Sequence, residues 1–97
     1  DEGHVTNVAV HPRARRRGVG RTLMCALMRE AAISGVRAMT LEVRRSNEPA
    51  QKLYRQLDFA VEGVRRNYYS DTHEDALLMW NKNIGKTLSA ADEARMR

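Results

Sequence analysis

The chain has 97 residues, 42% hydrophobic and 30% charged, with 17 lysines and arginines against 12 acids, a formal charge of +5 and a pI near 10.0. That length is one domain. The single cysteine, Cys25, excludes an intrachain disulfide, and no apolar run approaches the roughly 18 residues of a membrane helix.

In chain order, Val5-Thr6-Asn7-Val8-Ala9-Val10 is β-prone and bounded by Pro12, and His11 before the proline is expected to be extended. Arg13 to Arg17 reads as a loop. From Val19 the period becomes helical: Leu23, Met24, Leu27, Met28 and Ala31 form one stripe, with Arg21, Thr22, Arg29 and Glu30 opposite. Gly35 supplies a C-terminal stop. Ala38 to Arg44 alternates, with Met39, Leu41 and Val43 on one face and Thr40, Glu42 and Arg44 on the other. Glu42 can therefore line a cleft. Asn47 reads as a helix cap and Pro49 as a first-turn residue, after which Ala50, Leu53, Tyr54 and Leu57 recur at helical spacing. Phe59 to Tyr69 is predicted as one strand, bulged near Gly63. Ser70 to His73 is a polar turn, and Asp75 to Trp80 the returning strand of a hairpin. Periodicity lapses at Asn81. Residues 81–97 read as a polar tail with a short helix from Ser89, Asp92 completing a weak capping box. The order β-α-β-α-β-β implies an α/β fold with a mixed sheet under helical cover. Two helices and four strands make a thin core, so further sheet partners upstream are expected.

The stretch Arg15-Arg16-Arg17-Gly18-Val19-Gly20 joins the first strand to the first helix. Two glycines allow close backbone approach, the helix start offers unpaired N–H groups and the positive end of its dipole, and the arginines add charge. This combination suits a pyrophosphate. It is not a dinucleotide fingerprint, because Leu23 stands where a third glycine is needed, and it lacks the Gly-Lys-Ser/Thr of a Walker loop. His4, His11, His73 and Cys25 lack ligand spacing, so no metal is expected.

Arg15-x-x-Gly18-x-Gly20 between strand and helix resembles the acetyl-CoA loop of the GNAT acetyltransferase superfamily. Leu41-Glu42-Val43-Arg44-Arg45-Ser46-Asn47-Glu48-Pro49-Ala50, running on to Leu53-Tyr54 and Phe59, strengthens the likeness. With Arg65-Arg66-Asn67-Tyr68-Tyr69 and Glu74-Asp75-Ala76 added, residues 3–80 resemble the RimI-type ribosomal-protein alanine N-acetyltransferases. The resemblance implies a GNAT fold that begins here at its fourth strand, lacking three strands and two helices. Residues 1–80 would be its acetyl-CoA-binding C-terminal part. It also implies that Val8, Ala9 and Val10 pair through their backbone with the pantetheine arm, and that a strand N–H meets the oxyanion. Arg16, Arg17, Gly18, Val19, Gly20 and Arg21 would hold the pyrophosphate, with Arg15 opening the motif, and Asn47 would contact the cosubstrate. Glu42 would be the general base, acting directly or through a water, and Tyr54 the general acid that protonates the departing coenzyme A thiolate. Asn67, Tyr68 and Tyr69 would border the peptide entrance. The family's usual glycine before the phenylalanine is replaced by Asp58, which tolerates a left-handed backbone better than most residues.

The implied acceptor is the α-amine of a protein N-terminus, an alanine of a ribosomal protein, in the cytoplasm and without a membrane partner. The residues themselves leave other readings open. The acceptor could be a lysine or a small-molecule amine. Arg13 to Arg17 could belong to a basic RNA- or ribosome-binding module, although no aromatic residue interleaves them. Glu42 could be a surface carboxylate, Tyr54 a core aromatic and Asn47 a cap alone.

Overall fold

The computed structural model describes residues 2–4 and 19–95. Its elements are β1 (Glu2–His4), α1 (Val19–Ile33), β2 (Ala38–Arg44), α2 (Glu48–Gln56), β3 (Ala60–Tyr69), β4 (Glu74–Asn81) and α3 (Ile84–Arg95). They form a mixed α/β fold on a four-stranded sheet of order β1-β2-β4-β3. β1 runs parallel to β2, while β2–β4 and β3–β4 are antiparallel. The strand expected at Val5 to Val10 and the arginine loop up to Gly18 lie outside the described residues.

Both connecting helices stop by the same device. After α1, Val36 N–H donates to Ala31 O at 2.9 Å and Gly35 N–H to Ala32 O at 3.0 Å, with Gly35 at φ 89°. After α2, Phe59 N–H donates to Tyr54 O at 2.9 Å and Asp58 N–H to Arg55 O at 3.0 Å, with Asp58 at φ 66°. Each is a paired closure around one left-handed residue, which satisfies carbonyls the helix leaves open. Glycine fills that position in the first case and aspartate in the second. α2 begins as its sequence suggests, with Asn47 Oδ1 accepting the Ala50 N–H at 3.2 Å and a proline in the first turn.

One face of the sheet carries the core. Leu41 pairs with Met79 and Val43 with Leu77, so all four side chains point the same way. Met24 and Met28 of α1, Ala50, Tyr54 and Leu57 of α2, Phe59, and Ile84 and Leu88 of α3 join them in one cluster. Full burial of each large apolar side chain contributes about 1.5–3 kcal/mol. Leu23, read as part of the α1 stripe, is instead exposed, so the buried stripe is narrower than the pattern suggests.

The helix expected from Ser89 starts at Ile84, and the segment is not a free tail. Asn83 Oδ1 accepts the Lys86 N–H at 3.2 Å, which caps it, and the Ile84 N–H donates to Arg37 O at 2.9 Å. Ile84 and Leu88, one turn apart, enter the core. Among the described residues no helix is long and apolar enough to cross a membrane.

Candidate functional site

Glu42 sits in the middle of β2, on the face opposite Leu41 and Val43. It is 8% exposed, and its Oε2 has no hydrogen-bond partner among the described residues. A buried carboxylate oxygen left open is costly, because desolvation is not offset by a donor. The surface-carboxylate reading is therefore ruled out by its burial. β4 places Leu78 beside it, and across β4 comes Gly63 of β3, where a Cβ would meet Leu78 at 3.7 Å.

Hydrogen-bonding attraction and charge from the Glu42 carboxylate hold the Tyr68 phenol of β3 above its ordinary pKa. The Tyr69 ring lies edge-on to Tyr68, with centroids 5.2 Å apart, and the Arg44 guanidinium stacks 4.0 Å over Tyr69. Burial raises the Tyr69 pKa, and Arg44 opposes that rise. Arg44 also meets Asp71 at 3.1 Å and Glu74 at 3.6 Å. Glu74 Oε2 accepts the Ser46 N–H at 2.6 Å, which holds its carboxyl below the usual range. The result is a polar cluster of Arg44, Tyr68, Tyr69 and Glu74, with Arg44 two residues along β2 from Glu42.

Tyr54 is 4% exposed and belongs to the core cluster, with its ring 6.1 Å from Phe59 at a steep angle. It packs on the Leu41–Val43 side of the sheet, so Glu42 and Tyr54 approach β2 from opposite faces. Gln51 ties α2 to the exit of β2, donating to Arg45 O at 2.7 Å and Arg44 O at 3.2 Å.

Of the loop residues, Val8, Ala9, Val10, Arg15, Arg16, Arg17 and Gly18 lie outside the described residues. Val19 opens α1, Gly20 is buried in its first turn, and that turn carries no acid to occupy its N–H groups. Arg21 Nη1 donates to Gln56 at 3.1 Å, which joins the start of α1 to the end of α2. An open groove of about 540 Å³ runs along α2, lined by Glu48, Gln51, Lys52, Arg55 and Gln56.

Sequence reasoning missed Asn81, Asn83, Thr87 and the reach of α3. Asn81 is 2% exposed and donates to Leu57 O at 2.8 Å and to Thr87 Oγ1 at 2.9 Å; Thr87 in turn donates to Asp58 Oδ2 at 2.8 Å. This network clasps the turn at the end of the helix that carries Tyr54. The available signal was Asn83 followed by Ile84 and Leu88 at helical spacing.

Residues 1–59 match the Acetyltransferase (GNAT) family. A Salmonella typhimurium relative named [ribosomal protein bS18]-alanine N-acetyltransferase is 46% identical over 81 residues, covering 81% of this chain and 55% of the relative. The crystal structure of the ribosomal-protein-S18-alanine N-acetyltransferase from Escherichia coli superposes with a TM-score of 0.67 at 43% identity, covering 79% of this chain and 52% of that one. The crystal structure of Ard1 from Thermoplasma volcanium gives a TM-score of 0.74 at 35% identity, covering 82% and 53%. The chain spans about half the length of the curated relatives it matches.

Proposed function

The chain belongs to the GNAT acetyltransferase family, and from that premise we propose that it moves the acetyl group of acetyl-CoA to the α-amine of a protein N-terminus. Its relatives' names point to the alanine of ribosomal protein bS18 as the acceptor, and hence to work in the cytoplasm. The observation that carries the proposal is Glu42, buried with its Oε2 unpartnered among the described residues.

Attack on a thioester needs a neutral amine. A peptide α-amine has an unperturbed pKa of about 7.7–8.0, so a carboxylate at close range is enough to take its proton. Glu42 does this through Oε2. The nitrogen bonds to the thioester carbon, the carbonyl oxygen becomes an oxyanion held by a main-chain N–H of Val8 to Val10, and the C–S bond then breaks. Tyr54 gives its proton to the leaving sulfur. The first turn of α1, with Gly20 and Arg21 and the arginines before it, holds the pyrophosphate. Asn47 reaches the cosubstrate from the start of α2. The acetyl-CoA-binding part is residues 1–80, with α3 as its buttress.

The test uses the protein at its natural length. Acetylation of an Ala-starting peptide is compared with that of the same peptide N-terminally blocked and carrying an internal lysine. The free N-terminus reacts and the blocked peptide does not; equal rates would remove the N-terminal assignment. Glu42→Gln and Tyr54→Phe each lower kcat while sparing coenzyme A affinity, and wild-type turnover in both would dismiss the pair. Steep salt dependence of RNA binding, without competition by coenzyme A, would favour a basic binding module instead.

A further inference from the structure

The sheet face that carries Glu42 is laid out in rows across β2, β4 and β3. Registered partners share a face, so Thr40, Trp80 and Ala60 form one row, Glu42, Leu78 and Gly63 the next, and Arg44, Ala76 and Arg65 the one after. Trp80 stands on one side of the middle row and the arginines on the other. The middle row itself runs from a carboxylate to a leucine to no side chain at all. A Cβ at Gly63 would lie 3.7 Å from both Cβ and Cδ2 of Leu78, and apart from its chain neighbours it would meet nothing else within 4 Å among the described residues. Leu78 is thus an apolar side chain, half-buried, standing beside a buried carboxylate.

Glu42 and Leu78 are directly opposite in the antiparallel ladder, which puts their Cβ atoms about 4.5–5.5 Å apart. Glu42 Oε2 is unpartnered among the described residues. An amine arrives partly as a cation, and this carboxylate is the charge that draws it. An α-amine that bonds Oε2 sits about 2.8 Å away, and its own Cβ follows within two bonds of about 1.5 Å. The acceptor's first side chain therefore begins on the same scale as the Glu42–Leu78 spacing. β2 is flanked by β1 on one edge and β4 on the other. In the proposed reaction the thioester is held at Val8 to Val10, beyond β1, which leaves the β4 edge, and Leu78, to the acceptor.

We propose that Leu78 is a specificity-determining residue: it is the wall on which the acceptor's first side chain packs, and it leaves room for a small apolar group such as the methyl of alanine while excluding a long one. This rests on the reading of Glu42 as the base. Apolar contact with a wall of fixed size is a coarse ruler, in which one methylene more or less changes the rate roughly ten- to two-hundredfold.

Competition kinetics on the natural-length protein test this, with acetyl-CoA and a pair of peptides identical except for a first residue of alanine or methionine. The quantity read is the ratio of their kcat/KM values, in which any loss of folded enzyme or of cosubstrate binding cancels. Wild type favours the alanine peptide, and a preference for methionine overturns the proposal at once. Leu78→Ala removes the Cγ and both δ-methyls and moves the ratio toward methionine roughly tenfold or more. Leu78→Met conserves volume and keeps the ratio within about threefold of wild type. An unchanged ratio in Leu78→Ala, or a shift in Leu78→Met as large as that in Leu78→Ala, overturns the proposal. If Leu78→Ala does not fold, Leu78→Phe works in the opposite sense: the wall comes forward, and with glycine- and alanine-starting peptides the preference moves toward glycine by about tenfold. An unchanged glycine-to-alanine ratio there overturns the proposal equally. Glu42→Gln at wild-type rate removes the underlying reading, whereas an inactive Glu42→Gln beside an unchanged ratio in the Leu78 variants removes this inference alone.

Discussion

Replacing Thr87 with valine isolates the clasp at the end of α2. Valine keeps the shape and β-branching of threonine and has a similar helix propensity, so neither packing volume nor local preference changes much. The hydroxyl accepts from Asn81 Nδ2 at 2.9 Å and donates to Asp58 Oδ2 at 2.8 Å. Asn81 is 2% exposed, so one of its two amide hydrogens is orphaned away from water, which costs about 1–3 kcal/mol. Asp58 is exposed and turns to solvent, so its share is small. The added methyl recovers less than about 0.8 kcal/mol by burial. The net loss is therefore about 1–2 kcal/mol. Urea unfolding followed by circular dichroism reads it as a lower midpoint at unchanged slope. Thr87→Ser, which keeps both hydrogen bonds and sheds one methyl, loses less. Were valine as stable as threonine and serine the weaker variant, the site would be valued for its methyl, and the clasp argument would fail.

Three further outcomes are expected. Leu41→Ala, at a position 1% exposed, opens a cavity in the sheet–helix core and lowers unfolding free energy by about 2–5 kcal/mol in the same assay; a loss below about 1 kcal/mol would mean that the neighbouring methionines refill the space. Glu74 has its pKa depressed by the Ser46 N–H, so its contribution is full above the unfolded-state value of about 4.3 and is lost as pH falls through the lower folded-state value. Melting temperature recorded from neutral pH into that acid range should drop more steeply in the wild type than in Glu74→Gln, and parallel curves would contradict the assignment. Asn47→Ala costs about 1 kcal/mol through the lost cap, while Asn47→Ser keeps the cap and weakens coenzyme A binding by calorimetry; unchanged affinity in Asn47→Ser would leave Asn47 as a cap only.

Much of the local architecture can be read from residue types. Gly35 ends α1 and Asn47 starts α2, because each rule concerns one or two backbone groups and a neighbouring side chain. The alternation of Ala38 to Arg44 separates Glu42 from the apolar face, and Gly63 lies at a register shift as its sequence context suggests. Asp58 takes a left-handed backbone, which aspartate was read as able to tolerate, although its bond to Thr87 could not be foreseen. The tail reading failed because only Ile84 and Leu88 mark the buried side of α3, too few for a periodic signal. Their burial depends on Met24 and Met28 of a helix far away in the chain. The narrower stripe of α1, which excludes Leu23, likewise reflects where its neighbours stop covering it.

By itself the sequence determined α1, β2, α2 and the β3–β4 hairpin, where α1 and α2 stop, and that one carboxylate would stand apart from the apolar side of β2. These follow from backbone sterics and side-chain period, which act over a few residues. Tertiary structure alone decided that Glu42 would be buried with Oε2 unpartnered among the described residues, that Arg44 would stack on Tyr69, and that Asn81 and Thr87 would clasp the end of α2. Each needs groups many positions apart to be desolvated together, and the strength of a carboxylate, a phenol or an amide then depends on which donors share its dry surroundings.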